Sequence, residues 1–117
     1  MEKLLQVTYL YDFYGNLLTK KQNNIIEKYY LEDLSLSEIA TQENVSRQSV
    51  HDTIKQAERK LNTYEEKLGL VERFKDQEKE LTILVDKLKT IQTDNRDDQN
   101  NIIISDVIES MYRLLND

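Results

Sequence analysis

The stretch that decides the fold is Ser35-Leu36-Ser37-Glu38-Ile39-Ala40-Thr41-Gln42-Glu43-Asn44-Val45-Ser46-Arg47-Gln48-Ser49-Val50-His51-Asp52-Thr53-Ile54-Lys55-Gln56-Ala57-Glu58-Arg59-Lys60. Ser35 to Glu38 is a capping box, so the spacing predicts a short helix through about Gln42. Glu43-Asn44-Val45 is a tight turn, because Asn is one of the few non-glycine residues that tolerates left-handed backbone. Ser46 then serves as N-cap of a longer helix. In that helix Val50, Ile54, Ala57 and Leu61 fall at i, i+4, i+7 and i+11, one continuous apolar face. A short helix, a three-residue turn and a long helix make a helix-turn-helix. Ile39 and Ala40 face the second helix, with the small residue at 40 allowing a close crossing. Val45 plugs the turn, and Val50 and Ile54 anchor the second helix.

With that face turned inward, Gln48, Asp52, Lys55 and Arg59 point outward. Arg47, Gln48, Ser49 and His51 occupy the first turns, where a recognition helix meets base edges. Arg suits guanine and Gln suits adenine. Lys55 and Arg59 are placed for phosphates, as are Lys20 and Lys21 on the preceding helix, and Ser46 offers a backbone donor. Asp52 opposes phosphate in the middle of this face, and pairing with Lys55 or Arg59 along the helix is its ordinary use.

Upstream, Glu2 to Tyr14 reads as a helix with a broad apolar and aromatic side. Gly15 follows where a C-cap favours positive φ. Thr19-Lys20-Lys21-Gln22 is a second capping box, opening a helix whose stripe is Ile25, Ile26, Tyr29 and Tyr30 and which ends at Glu32-Asp33-Leu34. Downstream, the long helix runs to Leu68, and Gly69 stops or kinks it. Val71 to about Ile91 is a further helix. Taking Val71 as position a, apolar residues fall at 71, 74, 81, 85 and 88, and Glu78 interrupts the heptads. Thr93 to Asn101 is a polar linker. Ile104, Val107, Ile108, Met111 and Leu115 mark a last amphipathic helix. The expected fold is all-α: a winged-helix-type trihelical core without a wing, with an extra N-terminal helix and C-terminal helices. The expected division is residues 1–68, holding the helix-turn-helix at 35–60, and a C-terminal extension, 69–117. The extension's apolar stripes exceed what a three-helix core needs, so it is read as an oligomer interface, most simply of a homodimer.

Composition narrows the function. The 117 residues contain no cysteine, no proline, one histidine and two glycines. Thiol chemistry, a multi-histidine metal site and glycine-rich phosphate loops are therefore excluded. No nucleophile and base are paired, so an enzyme is the least expected class, and no cofactor is implied. The formal net charge is −6, with residues 61–117 carrying eight bases against thirteen acids. Binding to nucleic acid by general electrostatics alone would call for a basic chain. Apolar runs reach only three residues, as at Ile102 to Ile104, so no membrane span is expected. The N-terminus lacks a signal pattern, and a cytoplasmic location is expected. His51 alone reads as an edge residue. Most of the seven tyrosines read as core or oligomer contacts. Asp94 to Asp98 lacks the glycine and glutamate of a calcium loop.

The chain resembles a known family. The motifs are Leu10-Tyr11-Asp12-Phe13-Tyr14-Gly15, Leu17-Leu18-Thr19 with Lys21-Gln22, and Tyr29-Tyr30 with Glu32-Asp33-Leu34-Ser35-Leu36 and Glu38-Ile39-Ala40. Val45-Ser46-Arg47-Gln48-Ser49-Val50 and Tyr64-Glu65 with Lys67-Leu68-Gly69-Leu70 complete them. Together, over residues 4 to about 75, they resemble the YlxM family of small bacterial helix-turn-helix proteins. The helix-turn-helix portion is also similar to region 4 of the sigma-70 family, which reads the promoter −35 element. Ser49 and His51 stand where the family is expected to carry Ala and Tyr.

The resemblance implies a regulator or component of the signal recognition particle pathway. Its partners would be the particle's RNA, its GTPase subunit, or both. Two other functions compete: a dimeric transcriptional regulator reading duplex DNA, and a protein-interaction module that has lost nucleic-acid binding.

Overall fold

The computed structural model describes residues 2–94 and 97–116, and six α-helices follow one another without a strand among them. They are α1 (Glu2–Tyr14), α2 (Lys20–Ile26), α3 (Leu36–Glu43), α4 (Arg47–Leu68), α5 (Leu70–Asp94) and α6 (Asp98–Asn116). Two compact units divide at Val71 and Glu72, just inside the start of α5.

In the first unit the sequence rules act where they were expected. Thr19 Oγ1 accepts from the Gln22 backbone, and the Gln22 side chain accepts from the Thr19 backbone, each at 3.1 Å. Ser35 and Glu38 make the same reciprocal pair at α3. Asn44 turns left-handed at φ 55°, and Ser46 caps α4 through the Ser49 amide. Ile25, Ile26, Ile39, Val50, Ala57 and Leu61 close the core between α2, α3 and α4. Val45 packs, half-buried, against it.

Two features of this unit differ from expectation. Gly15 does not take positive φ; it opens a 3-10 turn, Gly15–Leu17. A Cβ there would stand 3.1 Å from the Tyr11 ring, which would have to give by a few tenths of an ångström. The second helix continues past Ile26 as a π turn, Glu27–Leu31, closed by Glu32 N–H donating to Glu27 O at 3.0 Å. Asp33 (φ 57°) then takes the left-handed position of a helix stop, and Leu34 N–H reaches back to Lys28 O.

The corner after α4 is tied by a buried network. Gly69 is left-handed at φ 61° and ends the helix. Tyr14, 1% exposed, donates its hydroxyl to Glu65 at 2.6 Å and accepts from Leu70 N–H at 3.0 Å. The same Glu65 oxygen accepts from Val71 N–H.

In the second unit α5 and α6 form an antiparallel hairpin. Gln92 donates to Ser105 Oγ, and Lys89 donates to the Tyr112 hydroxyl further from the turn. Within this unit the least exposed residues of α5 are 74, 78, 81, 85, 88 and 92; on α6 they are 101, 104, 108, 111 and 115. These spacings alternate three and four, a heptad seam. Glu78 therefore sits in the seam, half-buried, rather than interrupting it. The expected linker is mostly helix. Asp97 caps α6 by accepting from Gln99 N–H at 3.0 Å, while Asn95 and Arg96 lie outside the described residues. Val107, assigned to the buried stripe from sequence, is exposed, because it lies one position before the seam residue Ile108.

Candidate nucleic-acid interface

The candidate surface is the outer side of α4. Its inner side is fixed by Val50, Thr53, Ile54, Ala57 and Leu61, all buried. Gln48, Asp52, Lys55 and Arg59 are consequently exposed, as the 100° step requires. Arg47 and His51 are exposed as well, and Ser49 is half-buried beside its own capping bond. Among the described residues Arg47 has no ion-pair partner, so its guanidinium is available to a ligand.

Asp52 is engaged differently from the sequence expectation. It accepts from Gln48 Nε2 at 3.0 Å and lies 3.6 Å from His51 Nδ1. It pairs with neither Lys55 nor Arg59. Lys55 instead approaches Glu58 at 3.8 Å, and Lys3 of α1 approaches the same carboxylate. Glu58 also takes a bond from Tyr30.

The candidate residues separate into two groups. Lys28 pairs with Glu43 at 2.8 Å, which sets the end of the second helix beside the helix-turn-helix turn. Gln22, near the start of α2, accepts from Lys60 at 3.2 Å. Lys20 and Lys21 therefore stand at the far half of α4, with Arg59. Arg47, Gln48, Ser49 and His51, with Ser46, stand at the near end. At 1.5 Å per residue Arg47 and Arg59 are about 18 Å apart along α4, with Lys55 between them. The sequence treated them as one set, and the packing of α2 along α4 is what puts Lys20 and Lys21 with Arg59.

Lys60 was missed from sequence, although its place beside Arg59 was a signal. Gln22, Gln56, Arg59, Lys60, Thr63 and Tyr64 line a groove of about 390 Å³ between α2 and α4. No cluster of three metal-ligating side chains occurs among the described residues, and no helix there is long and apolar enough to cross a membrane.

The helix-turn-helix seen here agrees with the description of a known family. The family described as "Putative helix-turn-helix protein, YlxM / p13 like" matches residues 1–103. The chain belongs to this family, UPF0122. A UPF0122 protein of Desulforamulus reducens is 53% identical over 88 residues, which is 75% of each chain. UPF0122 proteins of Bacillus cereus strain AH187 and Bacillus anthracis are each 43% identical over 114 residues, 97% of this chain and 98% of theirs. The likeness thus runs well beyond residue 75, where the resemblance read from motifs ended. The UPF0122 relationship covers most of the α5–α6 hairpin as well as the helix-turn-helix.

Proposed function

We propose that the chain is a nucleic-acid-binding accessory of the signal recognition particle pathway. It binds the particle's RNA, its GTPase subunit, or both, through the helix-turn-helix. One observation carries the nucleic-acid part: the first turns of α4 present Arg47 and Gln48 to solvent on a rigid, doubly capped frame. Arg and Gln are the side chains with two donors or a donor and acceptor spaced for base edges. The pathway itself is supported by the resemblance to the YlxM family, whose genes typically neighbour those of the particle's protein subunit and receptor.

The test is a binding titration at several salt concentrations, using the particle's RNA, duplex DNA and the GTPase subunit. The proposal expects RNA or the assembled particle to bind with a salt slope of a few charges, weakened by Arg47→Ala and Gln48→Ala. Binding to neither at physiological salt overturns it. Binding to duplex DNA alone, with sequence preference, supports the second reading, a dimeric transcriptional regulator.

What favours a dimer is the unfinished side of the α5–α6 hairpin. In an antiparallel pair, the positions one before each a residue lie on a common side. On α5 these include Leu84 and Ile91; on α6 they include Val107 and Leu114. All four are exposed, Leu114 by 62%, and Leu84 and Leu114 share one groove. The opposite side is closed by Lys89 and Tyr112. A second copy is the occupant that fits. With a two-fold axis beside Leu84, each Glu80 meets Lys87 of the other copy, and neither has an ion-pair partner within its own chain among the described residues. The product is a four-helix bundle.

A further inference from the structure

We propose that the groove between α2 and α4 is a second nucleic-acid contact that takes an unpaired nucleotide. This rests on the reading that the chain binds nucleic acid, and it adds where and in what form. The groove is lined by Gln22, Gln56, Arg59, Lys60, Thr63 and Tyr64, two cations and no carboxylate. In a chain of net charge −6 that is a selective feature. Four other grooves on the described surface each include an acid: Asp33 and Glu38, Glu58, Asp98 and Asp106, or Glu80. Lys20 and Lys21, both exposed, flank it on α2, so anionic ligand is drawn to this end of α4.

The lining is arranged for more than a phosphate. Arg59 is exposed and has no ion-pair partner among the described residues. Lys60 is held toward the groove by Gln22 Oε1 at 3.2 Å. That oxygen also accepts from Thr19 N–H, so Gln22 is locked in place, and among the described residues its Nε2 donates to no protein acceptor. Tyr64 forms an aromatic wall. Its ring packs on Tyr14 with centroids 6.0 Å apart, and its hydroxyl lies 3.5 Å from Leu17 O. A preset ring, two cations and amide groups from Gln22 and Gln56 are the parts needed to stack a base, hold its phosphate and bond its edge.

Distance separates this contact from the reading turns. Arg47 and Lys60 are thirteen residues apart, about 20 Å along α4, whereas a major groove is about 12 Å wide. A B-form duplex holding Arg47 in its groove would offer the second site only backbone, and its stacked bases could not reach Tyr64. A strand with unpaired nucleotides can use both.

The probe is a short single-stranded oligouridylate carrying 5-iodouracil, irradiated with the full chain, with crosslinked peptides identified by mass spectrometry. The same oligomer, fluorescently tagged, gives affinity by anisotropy. The expected crosslink is on Tyr64, and Tyr64→Leu lowers affinity about tenfold. Thr63→Glu, at an exposed rim position that leaves packing intact, lowers it similarly. Crosslinks confined to residues 46–52, with unchanged affinity in both variants, overturn the groove and leave the helix-turn-helix reading standing. No binding of either the oligomer or any duplex overturns both.

Discussion

Gln48 donates its side-chain Nε2 to Asp52 Oδ1 at 3.0 Å, one turn further along α4. The residue best suited to read a base is thus held by an exposed carboxylate on the same face. Asp52 both occupies Gln48 and repels phosphate, so the free surface is a poor nonspecific binder. Replacing it tests what this face meets. Asp52→Lys is expected to tighten nucleic-acid binding several-fold and steepen the salt dependence by about one charge. A fall in affinity would instead mean that the face meets a basic protein surface.

The Tyr14 hydroxyl joins three elements by bonding Glu65 and Leu70 N–H from inside the core. Tyr14→Phe takes the acceptor from Leu70 N–H and one donor from Glu65 Oε1, which keeps its bond from Val71 N–H. The expected loss is about 1–3 kcal/mol in urea unfolding, with helicity retained. A change below about 0.5 kcal/mol would show that water replaces the hydroxyl.

Alkaline pH reads the same interior. Burial, reinforced by the bond to Glu65, pushes the Tyr14 hydroxyl above the ordinary tyrosine value. Burial, with Glu58 next, does the same at Tyr30, and burial, then the Glu27 charge, at Tyr11. The folded state then keeps protons that the unfolded chain releases above about pH 10. Stability is full below that pH and falls as pH rises through the folded values. Urea midpoints measured from pH 7 to 11 should show this fall, and Tyr30→Phe should make it shallower. An identical alkaline limb in the variant would contradict the assignment.

The two glycines do different jobs. Gly69→Ala meets no atom within 4 Å but forces a side chain into left-handed backbone, costing about 1 kcal/mol. Gly15→Ala is unstrained in φ but presses on the Tyr11 ring. Its cost should shrink in a Tyr11→Leu background, whereas that of Gly69→Ala should not. Thermal unfolding of the single and double variants checks both statements.

Leu84 sits where the proposed two-fold axis passes, so Leu84→Glu brings two carboxylates together in an apolar face. Sedimentation should show the wild-type chain as a dimer at micromolar concentration and the variant as a monomer of unchanged helicity. A monomeric wild type at high micromolar concentration would rule out the bundle.

The local chemistry of the fold was readable in advance. Both capping boxes, the left-handed Asn44, the Ser46 cap and the Gly69 stop depend on residues within four positions of one another, and sequence displays such relations directly. The failures depend on side-chain placement and on helical register, which residue type alone does not display. The tight contact at Gly15 depends on where the Tyr11 ring turns. The π turn at Glu27–Leu31 adds one residue to a helical turn without any special residue type. Asp97 was one acid among several in a polar run, and only the start of α6 distinguishes it. The candidate interface was legible as a list but not as a map: Lys20 and Lys21 could not be set relative to Arg47 until the Gln22–Lys60 bond placed them beside the far half of α4, with Arg59.

The most direct test of nucleic-acid binding through α4 is ultraviolet crosslinking in the native cell, followed by sequencing of the attached nucleic acid and mapping of the crosslinked peptide. The account predicts enrichment of the signal-recognition RNA, attached within residues 46–67. Recovery of no nucleic acid, or attachment only outside those residues, would contradict it.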